Sequence, residues 1–208
     1  MKNLKIFLFL LPLCAVGWSS CDDPPTPQNT LVDGIVREYG SKKPLAGVRV
    51  RIVQVGGGSP TAPVGFETLG VDTTDAEGKY HFELTLDKQP DAIYLNVPQG
   101  YSPYDTERGG IVKGEQHNVV HDLDPYAYTD VHIKNINPFN EDDKMDGYIG
   151  GSAVGGLGRN WDRRGIIQLL GNRYNYIDYV VIRNNTRKVF KDSIYISARD
   201  TAKYNLHY

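Results

Sequence analysis

The sequence predicts an all-β protein built from two β-sandwich modules. Apolar and polar residues alternate along much of the chain: Val48, Val50 and Ile52 share one parity, and Arg49 and Arg51 take the other. Residues 80–86 and 93–97 repeat this pattern. A period of two gives a strand one apolar face, which packs on a core. No window of about a dozen residues shows the spacing of an amphipathic helix.

Turn-forming residues separate the alternating runs. Residues 43–47, 75–78 and 98–100 each end in glycine and contain either a proline or an aspartate. Gly78 offers the positive φ that a hairpin turn with a bulge requires. Strand runs about 8 to 12 residues apart with such turns are typical of a β-sandwich.

The N-terminus has the pattern of a lipoprotein signal peptide. Two lysines precede an apolar run over residues 6–18, which is about 20 Å of helix and too short for a bilayer core. Ser19 and Ser20 then lead directly to Cys21. We expect residues 1–20 to be removed and Cys21 to carry several acyl chains, enough for stable anchoring. The alternative is an ordinary signal peptide cut near Ser20, which leaves a free cysteine.

Residues 21–30 contain three prolines and predict a stiff, solvated tether. Asp22 and Asp23 resemble the short export signals of Bacteroidota surface lipoproteins, although in enterobacteria an Asp after the cysteine favours inner-membrane retention. The predicted location is the cell envelope, at the outer membrane and exposed on the surface. The membrane is therefore the first expected partner.

Charge and cysteine usage narrow the functional classes. Loss of Lys2 and Lys5 leaves 21 of the 23 cations against 25 acidic residues, a net charge of −4. Nucleic acid is not an expected partner, because phosphate binding needs clustered Lys and Arg. Cys14 leaves with the signal peptide and Cys21 is used by lipid, so no disulfide is expected. The fold must then be stabilised by burial.

Three strings in order resemble a carboxypeptidase-regulatory-like (transthyretin-like) domain. They are residues 32–36, 44–50 and 74–82. The resemblance covers residues 31–125 and implies a seven-stranded sandwich. The family's later Pro-x-Gly-x-Tyr turn is replaced by residues 89–94, and the stretch 55–70 is longer than usual, so the loops are expected to differ.

The strand pattern restarts at Tyr126. Residues 131–134, 179–182, 193–196 and 204–206 predict strands of a second β module over 126–208, with a Gly-rich insert at 147–171. The arrangement resembles small Bacteroidota lipoproteins that have a transthyretin-like first half and a second β half.

No catalytic signature is present, so the chain is predicted not to be an enzyme and to need no cofactor. His117 and His121 would lie about 13 Å apart in a strand, which favours a solvated face over a metal site. Residues 140–147 are similar to a calcium loop, but Lys144 stands where an oxygen ligand is needed. Glycines at 56–58, 150–151 and 155–158 predict flexible loops. Lys42 and Lys43 lie in a turn and are poor candidates for the Lys–Asn isopeptide bond of pilus domains.

Two groups of residues are candidate sites. Trp161, Tyr174 and Tyr176 lie among polar residues that include Arg163, and flat rings beside hydrogen-bonding groups suit a sugar. The alternative is that the sandwich buries its Trp. Thr73, Ser193 and Thr201 each follow an Asp and match a Bacteroidota O-glycosylation pattern, although strand edges also favour Ser and Thr.

The leading functional prediction is a non-catalytic, lipid-anchored surface module that binds an unknown protein or glycan. The alternative is a structural spacer, or a subunit of a fimbria-like surface assembly that pairs through an edge strand. A concave aromatic cluster on the second module would favour the first, and a flat exposed strand edge the second.

Overall fold

The computed structural model describes residues 28–55, 65–103, 106–108 and 110–208. These residues form fourteen β-strands and no helix, so the all-β prediction is confirmed. It follows that no described helix has the length and hydropathy to span a bilayer. The predicted signal peptide, Cys21, most of the tether and glycines 56–58 lie outside the described residues.

The first seven strands make one sandwich of two sheets. They are β1 (Gln28–Glu38), β2 (Arg49–Val55), β3 (Phe66–Thr73), β4 (Lys79–Leu86), β5 (Ala92–Leu95), β6 (Thr106–Arg108) and β7 (Gln116–Leu123). One sheet has the order β4-β1-β7 and the other β3-β2-β5-β6. β1 and β7 are parallel, and the other pairs are antiparallel. Seven strands is the number that the family resemblance implies.

The core of this sandwich follows the alternation in the sequence. Val48, Val50 and Ile52 are buried, and so are Tyr80 and Phe82, whereas His81 between them is exposed. Burial of these apolar side chains supplies the main stabilising free energy.

Gly78 has the predicted positive φ of 75°. A Cβ there would lie 2.4 Å from the carbonyl oxygen of Val36, so only glycine fits this turn.

The last seven strands form a second sandwich. They are β8 (Tyr126–Lys134), β9 (Lys144–Ile149), β10 (Ser152–Leu157), β11 (Asp162–Leu170), β12 (Arg173–Arg183), β13 (Thr186–Ile196) and β14 (Thr201–His207). The sheet orders are β11-β8-β14 and β10-β9-β12-β13. Strand for strand this is the topology of the first sandwich, including the parallel pairing of first and last strand. The two halves are therefore a tandem repeat of one architecture.

The Gly-rich insert corrects one sequence-based expectation. Most of residues 147–171 are strand and not loop: they hold the end of β9 and all of β10 and β11. Gly156 lies in β10, and a Cβ there would be 2.4 Å from the indole of Trp161. Glycine at this position allows the ring to pack against the strand. Gly150 and Gly151, with φ of 54° and 87°, make the β9–β10 turn.

Candidate functional surfaces

The structure separates the predicted aromatic cluster into two places. Trp161 is half-buried and packs against the core of the second sandwich, with the Arg163 guanidinium 5.3 Å from the ring centroid. Tyr174 and Tyr176 instead lie on β12, whose other parity, including Ile177, points into the core. Tyr174 and Tyr176 therefore face solvent on the outer side of the four-stranded sheet, and Trp161 does not join them.

Two further tyrosines complete an exposed aromatic surface on that sheet. Strand register places Tyr195 of β13 opposite Tyr174, and Tyr148 of β9 opposite Asp178, diagonal to Tyr176. The exposed fractions of Tyr148, Tyr174, Tyr176 and Tyr195 are 59%, 64%, 74% and 51%. The rings of Tyr174 and Tyr195 meet edge to face, with centroids 5.3 Å apart. We call these four residues the tyrosine face.

On the sheet surface that carries the tyrosine face, charged side chains lie next to side chains of opposite charge. Asp178 stands across from Lys191, and Lys144 pairs with Asp146 at 2.6 Å. A shallow depression of about 430 Å³ lies beside Tyr176 and is bordered by Asp178, Lys191 and Ser193. The surface thus combines flat rings with hydrogen-bonding groups and has little net charge.

The contact between the two sandwiches is centred on Glu38. This side chain is buried at the end of β1 and accepts hydrogen bonds from Ser41 Oγ at 2.8 Å and from the Tyr101 hydroxyl at 2.9 Å. From the second sandwich, Arg199 Nη1 reaches Glu38 Oε2 at 2.7 Å. Burial alone would raise the pKa of Glu38, but hydrogen bonds from Ser41, Arg199 and Tyr101 hold it below its usual value. Glu38 is therefore an ionised anchor for Arg199.

A second set of contacts continues this interface. Asn172 donates from its amide to the Tyr39 carbonyl oxygen at 2.9 Å and to Glu38 Oε1 at 3.3 Å. Arg173 pairs with Asp124 and lies over the Tyr39 ring, 4.1 Å from its centroid. Asp124 is partly buried, which raises its pKa even though Arg173 opposes the shift. We refer to the contacts of Glu38, Asp124, Asn172, Arg173 and Arg199 as the joint.

The backbone also crosses the joint. Tyr126 N–H donates to the Gly100 carbonyl oxygen, and Ser102 N–H donates to the Asp124 carbonyl oxygen, both at 2.8 Å. Only Asp124 and Pro125 separate β7 from β8. A connection this short, with hydrogen bonds beside it, limits the motion of one sandwich relative to the other.

At the far end of the second sandwich, Asp143 organises a loop. It is fully buried, and its carboxylate accepts hydrogen bonds from Phe139 N–H at 2.8 Å and from the Asn135 amide at 3.0 Å. Arg183 Nε lies 3.3 Å away. Burial would raise the pKa of Asp143, but these donors lower it, so the group stays ionised. The loop that carries Phe139 is thereby held in place.

This loop forms one wall of a groove beneath β13. The groove measures about 430 Å³ and is lined by apolar parts of Phe139, Val181, Phe190 and Tyr208, with Lys188 at its side. Phe190 stacks on Tyr179 with centroids 4.8 Å apart, which fixes its ring. Phe139 and Phe190 remain 52% and 39% exposed.

The histidine and calcium patterns form no metal site. His121 is buried, which corrects the expected solvated face; it stacks on Tyr80, whose hydroxyl lies 2.9 Å from its Nε2. His117 Nε2 lies within 3.0 Å of the Val112 backbone. In the part of the chain that the structure describes, no three His, Cys, Asp or Glu side chains converge on a common point.

The remaining candidates are placed as follows. Thr73, Ser193 and Thr201 are all exposed, and in each the backbone N–H is bonded to the preceding aspartate at 2.7–2.8 Å. Their side chains are therefore sterically accessible for the predicted O-glycosylation.

The lysine considered for an isopeptide bond has an ionic partner. Lys42 makes an ion pair with Asp122 at 2.8 Å. The buried acid Glu38 was not expected from the sequence.

Comparison with known proteins yields only weak structural similarity. No protein-family model matches the sequence. No curated protein matches it significantly. Among solved structures, the Bacillus anthracis TIE protein is similar at 13% identity and a TM-score of 0.36, over 86% of this chain and 34% of that chain. The minor pilin GBS52 of Streptococcus agalactiae has 10% identity and a TM-score of 0.36, over 86% and 94%. The Bacillus cereus major pilin BcpA has 11% identity and a TM-score of 0.35, over 80% and 68%. This chain thus spans about a third of the first of these, and similarities this weak assign no function.

Sequence reasoning missed the joint and half of the tyrosine face. Tyr148 and Tyr195 carry a usable signal, because each sits between inward-facing neighbours in an alternating strand. Glu38 and Arg199 carry none, since a charged residue at a strand end or in a turn is ordinary until its distant partner is known.

Proposed function

We propose that this chain is a non-catalytic structural subunit of a cell-surface assembly, in which two sandwiches act as one rigid spacer. The joint is the observation that carries this proposal. It combines an ionised, buried Glu38 with Arg199, and a partly buried Asp124 with Arg173. Two domains of one chain usually move relative to one another unless their interface is large and hydrophobic. In this chain we expect the ion pairs of the joint and its backbone hydrogen bonds to take that role together.

The path of the chain supports a spacer. β1 and β7 run in the same direction, so the chain enters the first sandwich at one end and leaves it at the other. β8 and β14 repeat this in the second. Behind the predicted Cys21 anchor and tether, such a body would hold its far end away from the membrane. Lipidation, outer-membrane location and O-glycosylation at Thr73, Ser193 and Thr201 belong to this proposal.

Pulsed electron paramagnetic resonance tests the rigidity. Cys21→Ser leaves the chain from residue 21 onward without cysteine, so labels attached at Glu83→Cys and Lys203→Cys report one distance between the sandwiches. We expect a single narrow distance distribution. Glu38→Ala combined with Arg173→Ala should broaden it, because both ion pairs of the joint are lost.

Lys134→Ala is the matched control. It removes an ion pair with Asp162 on the second sandwich, away from the joint, and should leave the distribution narrow. A broad distribution in the parent chain would contradict the rigid spacer.

A second function, binding of a neutral glycan, is favoured by the tyrosine face. Four exposed rings on one sheet, with paired charges between them, suit sugar rings and their hydroxyls. Affinity electrophoresis on a polysaccharide panel tests it. Tyr176→Ala should abolish retention, while Tyr128→Ala, an exposed tyrosine on the opposite sheet, should not. If no polysaccharide retains the parent chain, glycan binding is refuted and the spacer is the one proposed function that remains.

A further inference from the structure

The outer edge of β13 is a long unpaired backbone. β13 is the terminal strand of its sheet and pairs, among the described strands, with β12 alone. It has 11 residues, and Thr186 through Ser193 are all exposed. Apart from the Ser193 N–H, which donates to the Asp192 carboxylate, the N–H and C=O groups on the side away from β12 are available to another strand. Added strands of this kind gain affinity from backbone hydrogen bonds and specificity from side-chain pockets.

The groove beneath β13 supplies such a pocket. Lys188 and Phe190 of β13 overhang it, and Phe139, Val181 and Tyr208 form the rest of its apolar lining. The Asp143 carboxylate holds the Phe139 loop through a backbone hydrogen bond, and Tyr179 holds the Phe190 ring by stacking on it. Because the groove is already formed, little ordering free energy opposes an apolar side chain that enters it.

Charge selects the partner. β13 carries Arg187, Lys188 and Lys191 and a single acid, Asp192, whose carboxylate accepts the Tyr204 hydroxyl at 2.9 Å. Pairing of two copies along β13 would bring cations against cations, which disfavours self-association. An acidic strand would meet complementary charge along the first half of β13, from Arg187 to Lys191.

We propose that β13 accepts an extended acidic segment of a partner protein as an added strand, with an apolar side chain of that segment in the groove. The proposal rests on the role in a surface assembly proposed above, since it names the partner class. Binding itself uses no residue of the joint, so the two are separable.

The probe is a synthetic peptide of about nine residues, a typical strand length, alternating valine or phenylalanine with aspartate. Titrated into isotopically labelled chain carrying Cys21→Ser, it should shift the backbone amide signals of β13 and of the Phe139 loop in a saturable way. The same peptide with lysine in place of aspartate should not bind. Arg187→Glu with Lys188→Glu should weaken binding about tenfold, and more at low salt.

Two further variants test whether the peptide uses the groove and whether its binding is specific to β13. Phe139→Ser removes a half-exposed groove wall but keeps the backbone N–H bonded to Asp143, so it should weaken binding without unfolding. Arg164→Glu, on the exposed edge strand β11 of the other sheet, should leave affinity unchanged.

Several results would overturn the proposal. They are no saturable shifts, equal binding of the lysine peptide, shifts confined to the tyrosine face, or pairing of β13 with a second copy. Glu38→Ala should bind the peptide normally. Failure of peptide binding alongside a narrow inter-sandwich distance therefore refutes this inference and leaves the spacer intact.

Discussion

Gly156→Ala probes the packing of Trp161 directly. A Cβ at residue 156 would lie 2.4 Å from the indole, and ring atoms cannot yield as the end of a flexible chain does. Overpacking of this kind costs about 1–3 kcal/mol. Replacing glycine by alanine returns about 0.4–1 kcal/mol by restricting the unfolded chain. We expect a net loss of about 1–2 kcal/mol, and a Tm lower by about 2–8 °C.

The assay uses the indole itself. Trp18 lies in the predicted signal peptide, so in a chain that starts at residue 21 Trp161 is the single tryptophan. Urea unfolding followed by its fluorescence therefore reports the second sandwich alone. Gly165→Ala on β11 is the control, because nothing lies within 4 Å of its added Cβ, and it should be neutral or slightly stabilising. Equal stability of the two variants would show that Trp161 does not pack against β10.

Three further predictions concern the rest of the chain. Phe82→Ala should cost about 3–5 kcal/mol in urea unfolding and His81→Ala under about 0.5, because the first is buried and the second exposed; equal losses would contradict the strand faces. Burial lowers the pKa of His121 from 6.5 to about 4, so the folded state binds fewer protons than the unfolded state. The free energy of unfolding should therefore fall by about 3 kcal/mol as the pH drops from 6.5 to 4. His121→Gln should flatten the dependence of the urea midpoint on pH, and an unchanged dependence would refute this reasoning. Labelled palmitate should enter the parent chain and not Cys21→Ser, whose release into the soluble fraction checks the anchor; retention without label would exclude lipidation.

Alternation predicted what depends on one strand at a time. It placed Phe82 inside and His81 outside, because parity within a strand needs no knowledge of its neighbours. It says nothing about residues outside the strands, and so it grouped Trp161, which precedes β11 and packs against the core, with Tyr176, which faces solvent. The glycines of residues 147–171 led to the wrong prediction of a loop for a related reason. Gly156 leaves room for the indole of Trp161, and that contact exists only after folding.

The joint was beyond sequence reasoning for a different reason. Glu38 and Arg199 lie at opposite ends of the chain, and each is unremarkable where it stands. They become partners only in the folded chain, where the repeated topology brings the end of β1 against the β13–β14 turn. Similarly, Asp143 looked like part of a calcium loop, but its oxygens are occupied by N–H donors.

The parallel pairing of first and last strands has a mechanical consequence. β1 lies beside β7 from Leu31 to Glu38, and β8 lies beside β14 in the same sense. Tension applied to the two termini of a sandwich drags these strands past each other lengthwise. Their hydrogen bonds are then strained together, in shear, and do not open one after another like a zipper. Forced unfolding is limited by the height of that barrier. Because Asp124 and Pro125 are the covalent connection between them, the two sandwiches stand in series and carry the same load.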